Sequence, residues 1–499
     1  MAAARNVLAT ILCSALVSHT AVPLPAFAQP VGLPNIGAAS SSELSPGVEA
    51  ELGAAIMAQG RLDPTFIDDP EVTQYLTTMG RHLANFAPSG RPDVSLFAVR
   101  DPEINAFAMP GGFIGINSGL VVSSRSESEL AGVVAHEIGH VTQRHIARGM
   151  TQQSQSSAIM MATMAAALAA ALAGGGGNLA VGVAAFGQAA AVNRQLGFSR
   201  DAEREADRVG FQMMSRAGYD PQGMVDMFSL LMNASRLNEG QGGGAWASTH
   251  PLSIDRLSDI QNRTRALTRS NYVDSDDYVY IRAKLRVTQG RDRNAQRSVQ
   301  QQLQDEVRTL SGVRQSAAFY GLAVLALNAK DPEQAQAYFA QASPPGRQSP
   351  ILARLAIDIA AARQDTAGAL RLAREATNRW PDRRALSLAY AQAMQRAGDD
   401  KGAVAYLRER AKAWEHDEPR AYQMLAQSQE RLGDAVAARR DMARYYVAIG
   451  ALPAGESQLQ QARNMTNDFY EQSQIDVQIR EIRERIESQR QLLERFKKN

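Results

Sequence analysis

Two histidines, His136 and His140, stand four residues apart around Glu137 in the stretch GVVAHEIGHVTQRH. On a helix that spacing puts both imidazoles on one face, where they can bind one metal ion. Glu137 lies about 100° round the helix and can reach a water on that metal as general base. The pair needs a third protein ligand to give a catalytic metal with one open position. With seven histidines in 499 residues, chance gives an expectation of only about 0.005 for the motif. A bystander pair is therefore a poor explanation.

The third ligand is not the nearest histidine. His145 follows His136 by nine residues, which at about 100° each sets it on the opposite side of a continuous helix. The metzincin spacing would need a histidine one residue further on, where Ile146 stands. His145 is thus expected to be structural or on the surface. A carboxylate from a later helix is the remaining option, as in His₂Glu zinc sites. The stretch SRDAEREADRVGFQMM, from Ser199, supplies one. Glu203 and Asp207 share a helix face, while Glu205 points away from it and Asp201 lies off it. Glu203 would coordinate one Zn2+ per chain, and Asp207 would accept a hydrogen bond from a ligand imidazole and fix its tautomer. Taken alone, the stretch reads first as an acidic, solvated helix face.

The motif has elements to position it. Ser126 and Glu129 form a capping box before an apolar-periodic run that stops at Gly149. Ahead of it, PDVSLFAVRDPEINAFAMPGGFIGINSGLVVSS alternates apolar and polar residues around Pro-Gly-Gly, which predicts two or three short strands. Behind it, residues 158–191 are apolar on both sides of Gly174 to Gly177. Each half falls short of a membrane span. The segment reads as a pair of buried or interfacial helices, or as a mobile lid that can touch a membrane surface.

The last third of the chain repeats. Ala335, Ala369, Ala403 and Ala437 are 34 residues apart, and Asp331, Asp365 and Asp399 share one phase in the preceding turns. That is the tetratricopeptide period, whose stacked helix pairs present a concave surface to peptides or partner proteins. The final stretch IREIRERIESQRQLLERFKKN is expected to be a charged, solvated helix.

Composition narrows the function classes. The balance of 53 basic and 51 acidic residues argues against nucleic acid as a partner. The N-terminus carries Arg5, an apolar run from Val7 to Val17 and Ala26-Phe27-Ala28, the pattern of a cleaved export signal. The single cysteine, Cys13, lies inside it with Leu12 before it, where a lipoprotein signal would have a small residue. Export to a periplasm is the resulting expectation. The expected organisation is a signal (1–28), a metal-site domain (29–270), a helical linker (271–310) and a repeat domain (311–499).

HEIGH with SRDAEREAD some sixty residues on resembles the zinc metallopeptidase family that includes the CAAX prenyl proteases. NAFAMPGGFIGINSGLV matches as well, and in that family it is an edge strand that can pair with extended substrate. STHPLSIDRL resembles the family's His-Pro segment. The resemblance places His250 in the open zinc position of a resting state and Arg256 beside the tetrahedral intermediate. Without it, His250 reads as a turn histidine before Pro251. The implied fold is mainly α: a zincin-like (gluzincin) α+β domain with a small sheet, then an α-helical tetratricopeptide superhelix. The implied activity is zinc-dependent endopeptidase action on unfolded or misfolded outer-membrane β-barrel proteins, with repeats that contact them or the barrel-assembly machinery. Two rivals stand beside it. One is a chaperone or assembly scaffold that works through its repeats over a largely latent zinc site. The other is a membrane-embedded prenyl-protein protease, disfavoured by the interrupted apolar segment.

Overall fold

The computed structural model describes residues 45–152, 198–237, 246, 250–251, 253–267, 270–290, 292–414 and 418–498. The expected signal, the arm that follows it through residue 44 and the apolar segment 158–191 lie outside the described residues.

Helices α1 (Pro46–Gly60) and α2 (Pro70–Ala84) each begin with a proline behind a capping side chain, Ser45 and Asp69. Three strands follow: β1 (Ser95–Val99), β2 (Ala106–Ala108) and β3 (Phe113–Asn117). Their order is β1-β3-β2, so β3 is central and β2 is an edge. β1 runs parallel to β3, and β2 runs antiparallel to it. Alternate side chains point to opposite faces, and both faces are buried. Leu96, Ala98, Ile114 and Ile116 join the main core, while Phe97, Val99, Phe107 and Met109 pack with Met57 of α1. The expected edge strand is thus β2 alone, with β3 inside the sheet.

Helix α3 (Ser118–Ser123) leads into α4 (Glu127–Thr142), which carries the histidine pair and is buried along every residue from Glu127 to His140. The Ser126 hydroxyl caps it by accepting from the N–H of Glu129. The Glu129 carboxylate reaches back one residue further than a standard capping box, to the N–H of Arg125 at 2.6 Å. The continuous helix expected through Gly149 is broken. Arg144 turns left-handed at φ 52°, and a new helix, α5, runs His145–Gln152. Helical-wheel geometry does not carry across that turn, so the placement of His145 opposite the metal face is corrected here.

Across α4 lie α6 (Arg200–Arg216) and α7 (Gln222–Leu237), and α8 (Ile254–Arg265) packs on these two. Two glycines set the closeness of α4 and α6. A Cβ on Gly139 would stand 2.8 Å from the Ala206 carbonyl oxygen, and one on Gly210 would stand 2.9 Å from the His136 nitrogen. The backbones touch because neither residue has a side chain.

The main core does not end with these elements. It continues through Tyr280 and Leu285 of α9 (Asp276–Gln289), past α10 (Arg293–Thr309), to Tyr320 of α11 (Gly312–Asn328) and Ala335 of α12 (Pro332–Ala342). Helix pairs follow: α13 (Pro350–Ala362) with α14 (Thr366–Arg379), α15 (Arg384–Arg396) with α16 (Asp400–Ala413), and α17 (Pro419–Arg431) with α18 (Ala435–Ala448). Asp331, Asp365 and Asp399 are the N-caps of the second helices, each accepting from the N–H three residues on. A left-handed residue precedes each cap: Lys330, Gln364 and Gly398. The fourth copy slips by one. Gly433 is left-handed, Asp434 caps α18, and Ala438 is buried at 7% exposure where Ala437 was expected. Helix α19 (Leu452–Met465) and the terminal α20 (Phe469–Lys498) close the array. The expectation of a solvated last helix holds for its charged face only. Ile475, Ile479, Ile482 and Ile486 form a buried stripe against Leu452 and Leu459. Among the described residues the fold is mostly helical with one small sheet, as the sequence implied. No helix among the described residues is long and apolar enough to cross a membrane.

Candidate metal centre

The α4–α6 contact brings Glu203 to the histidine pair. His136, His140, Glu203 and His250 each offer one ligand atom, and these atoms lie within 4.8 Å of one another in a buried pocket. The two Nε2 atoms of His136 and His140 are 3.0 Å apart. Glu203 Oε2 lies 3.5 Å from His136 Nε2, and Oε1 lies 3.4 Å from His140 Nε2. His250 Nδ1 completes the set at 3.3 Å from His136 Nε2 and 3.0 Å from Glu203 Oε1. A tetrahedral cation with ligand bonds of about 2.0–2.1 Å has edges of about 3.4 Å. The donor set therefore fits a metal ion of that size, with His250 at the fourth corner. The turn-histidine reading of His250 gives way to a buried ring stacked on Trp246 at 4.2 Å.

Carboxylates set the electrostatics. Asp207 Oδ1 lies 2.9 Å from His136 Nδ1, the placement that orients a ligand imidazole. Burial opposes charge on His136, yet Asp207 and Glu203 together raise its pKa to about 9. Burial pushes Glu203 up, but His250, His136 and His140 outweigh it and hold the carboxyl well below the usual range. His140 is driven down, chiefly by burial. Glu137 is raised by burial, with His250 and His136 pulling the other way, and its Oε1 is 3.4 Å from His250 Nε2. A carboxylate raised in this way beside a metal pocket can take and return a proton.

Arg256 is buried against two carboxylates of the site. Its Nε and Nη2 donate to the two oxygens of Asp207, each at 2.7 Å. Nη1 donates to the Pro251 carbonyl at 2.8 Å and lies 2.8 Å from Glu203 Oε2. With all three nitrogens committed, the guanidinium holds Glu203 and Asp207 of α6. These contacts set Arg256 beside the ligand Glu203, near the metal site as the resemblance implies.

Further contacts of the centre are not legible in the sequence. Phe198 stacks on His140 at 4.0 Å, and Trp246 stacks on His250. His145, turned inward by the break at Arg144, sets its Nδ1 2.9 Å from Nδ1 of His140. Glu205 points away from Glu203, as expected, but toward His145 and Arg148.

Comparison with known proteins accords with this geometry. Residues 70–264, which span every residue of the centre, match peptidase family M48. The chain is 30% identical over 505 residues to the beta-barrel assembly-enhancing protease of Escherichia coli, covering 99% of this chain and 98% of that protein. The protein of the same name from Yersinia pestis is 31% identical over 439 residues, 84% of this chain and 86% of its own. The mitochondrial metalloendopeptidase OMA1 of Schizosaccharomyces pombe is 36% identical over 179 residues, 35% of this chain and 48% of its own. A whole-length relative and a family match centred on the buried donor set make the chain a metalloprotease that belongs to peptidase family M48.

Proposed function

We propose that the chain is a periplasmic zinc-dependent endopeptidase acting in the quality control and assembly of outer-membrane β-barrel proteins. The convergence of His136, His140 and Glu203 beside the buried Glu137 carries the reading. In it, His136, His140 and Glu203 hold zinc, and Asp207 and Arg256 hold the ligands in place. Zinc, when bound, supplies Lewis acidity and lowers the pKa of water at the site. Glu137 takes the proton from the attacking water and returns it to the leaving amine. His250 fills the remaining corner in a resting state and must swing away for substrate to enter.

The edge strand supports an extended substrate. Met109 N–H donates to Phe113 and Asn117 N–H to Asn105, so alternate residues of β2 face β3. Ala106 and Ala108 then direct their backbone groups outward, and the backbone of Ala108 reaches the Glu137 carboxylate. A chain laid along β2 as an added strand would pass in front of the general base. An unfolded barrel protein, rich in unpaired strands, suits that mode, and the name of the full-length relatives points the same way. The catalytic elements occupy 29–270 and the repeats 311–499. The repeats would hold substrate or the assembly machinery, and the export signal in 1–28 would deliver the chain to the periplasm.

The test is cleavage of an unfolded outer-membrane barrel protein by the purified chain, before and after chelation and on return of zinc. Activity lost with the metal and restored by zinc supports the reading. Binding without cleavage in the zinc-loaded protein would favour the scaffold instead.

A further inference from the structure

We propose that His145 is a positioning residue of the metal centre, holding His140 through a histidine–carboxylate chain that ends on Arg148. The inference rests on the metallopeptidase reading above. His140 turns Nε2 toward the donor set, 3.0 Å from His136 Nε2 and 3.4 Å from Glu203. A ligand imidazole bonded through Nε2 carries its proton on Nδ1 and needs an acceptor there. The group 2.9 Å from that Nδ1 is Nδ1 of His145. His145 can accept only as the tautomer protonated at Nε2. That nitrogen lies 3.2 Å from Glu205 Oε2, which accepts its hydrogen. Arg148 Nη1 donates to the same oxygen at 2.9 Å and keeps the carboxylate in place. Each link fixes the next, so one proton arrangement satisfies the whole row.

The chain path is shaped for this contact. Had α4 continued, His145 would stand on the far side of the helix. The left-handed turn at Arg144, φ 52°, folds it back beneath His140 instead. A non-glycine residue in that conformation persists only where its surroundings hold it. Here Glu49 of α1 does so, accepting from Arg144 Nε at 3.2 Å and Nη2 at 3.1 Å. His145 is 2% exposed, and both of its ring nitrogens are engaged. His136 has Asp207 as its orienting group. His145 is the corresponding group for His140, an imidazole where the first ligand has a carboxylate.

The test measures zinc affinity of the full chain by competition with a chromophoric chelator, for wild type, His145→Phe, His145→Asn and Glu205→Ala. Visible spectra of the same proteins loaded with Co2+ report ligand geometry, and unfolding midpoints report stability. His145→Phe keeps a ring but removes the acceptor, and is expected to weaken zinc binding by about 10–100-fold and alter the cobalt bands. His145→Asn returns an acceptor oxygen near the lost Nδ1 and should recover most of the affinity. Glu205→Ala should weaken binding less than His145→Phe does. A folded His145→Phe protein with wild-type affinity and spectrum overturns the proposal, even if its unfolding midpoint falls. Should that variant not fold, unchanged affinity in Glu205→Ala overturns it equally. Wild-type protein that binds no zinc overturns the metallopeptidase reading and this one with it. Wild-type binding with unaltered variants overturns this one alone.

Discussion

Gly139 meets the backbone of Ala206 so closely that a Cβ would stand 2.8 Å from its carbonyl oxygen. The contact lies one residue from the ligand His140 on α4 and three from Glu203 on α6. Helix separation here sets the distance between a histidine ligand and the carboxylate that completes its site. Gly139→Ala should therefore push α6 outward and lower zinc content, although alanine favours the helix by about 1 kcal/mol. Metal analysis of the purified variant checks this, and full zinc with full activity would show the contact to be slack.

Removing the carboxylate acts more directly. Glu203→Ala leaves three histidines in the donor set and removes one of the two contacts of Arg256 Nη1. Bound zinc should fall well below one per chain, while Asp207→Asn, which keeps an acceptor near His136, should weaken binding less. Unchanged zinc in Glu203→Ala would remove it from the ligand set.

The Glu205 carboxyl offers a pH signature. A hydrogen bond from His145, followed by Arg148, lowers its pKa from 4.5 to about 2. A depressed carboxylate contributes stability above its unfolded pKa, and loses it as pH falls through the folded one. The stability gap between wild type and Glu205→Gln should thus be constant near neutrality and close between pH 4.5 and about 2. Denaturation at pH 6, 4 and 3 tests it. A gap that ignores pH would contradict the assignment.

The repeats should tolerate damage that the centre does not. Asp399 caps α16 by accepting from the N–H of Gly402 at 2.9 Å. Asp399→Ala should cost about 0.5–2 kcal/mol of stability, with zinc content unchanged. Loss of metal on capping a remote helix poorly would mean that the array and the centre unfold together.

Three of the four donors, His136, His140 and Glu203, were legible because helix spacing is local. His136 and His140 share a face, as do Glu203 and Asp207, wherever the two helices pack. The repeat turns were legible for the same reason, since an aspartate cap after a left-handed residue is a short-range device. What was not legible depends on breaks and on contacts between distant segments. Arg144 interrupts the helix without a proline or glycine to announce it, and so His145 was placed on the wrong side. The one-residue slip at Asp434 is small enough to hide under an otherwise regular alanine spacing. Arg256 was located near the metal by resemblance, but only the packing of α8 on α6 shows its nitrogens spent on Asp207, Glu203 and Pro251.

The most direct measurement compares wild type with Glu137→Gln, reading bound zinc and cleavage of an unfolded outer-membrane barrel protein in the same preparations. Glu137 is absent from the donor set, so zinc should remain at one per chain. Cleavage should fall by about 100-fold or more, because the group that takes and returns the proton is gone. A Glu137→Gln protein that cleaves at the wild-type rate would contradict the account.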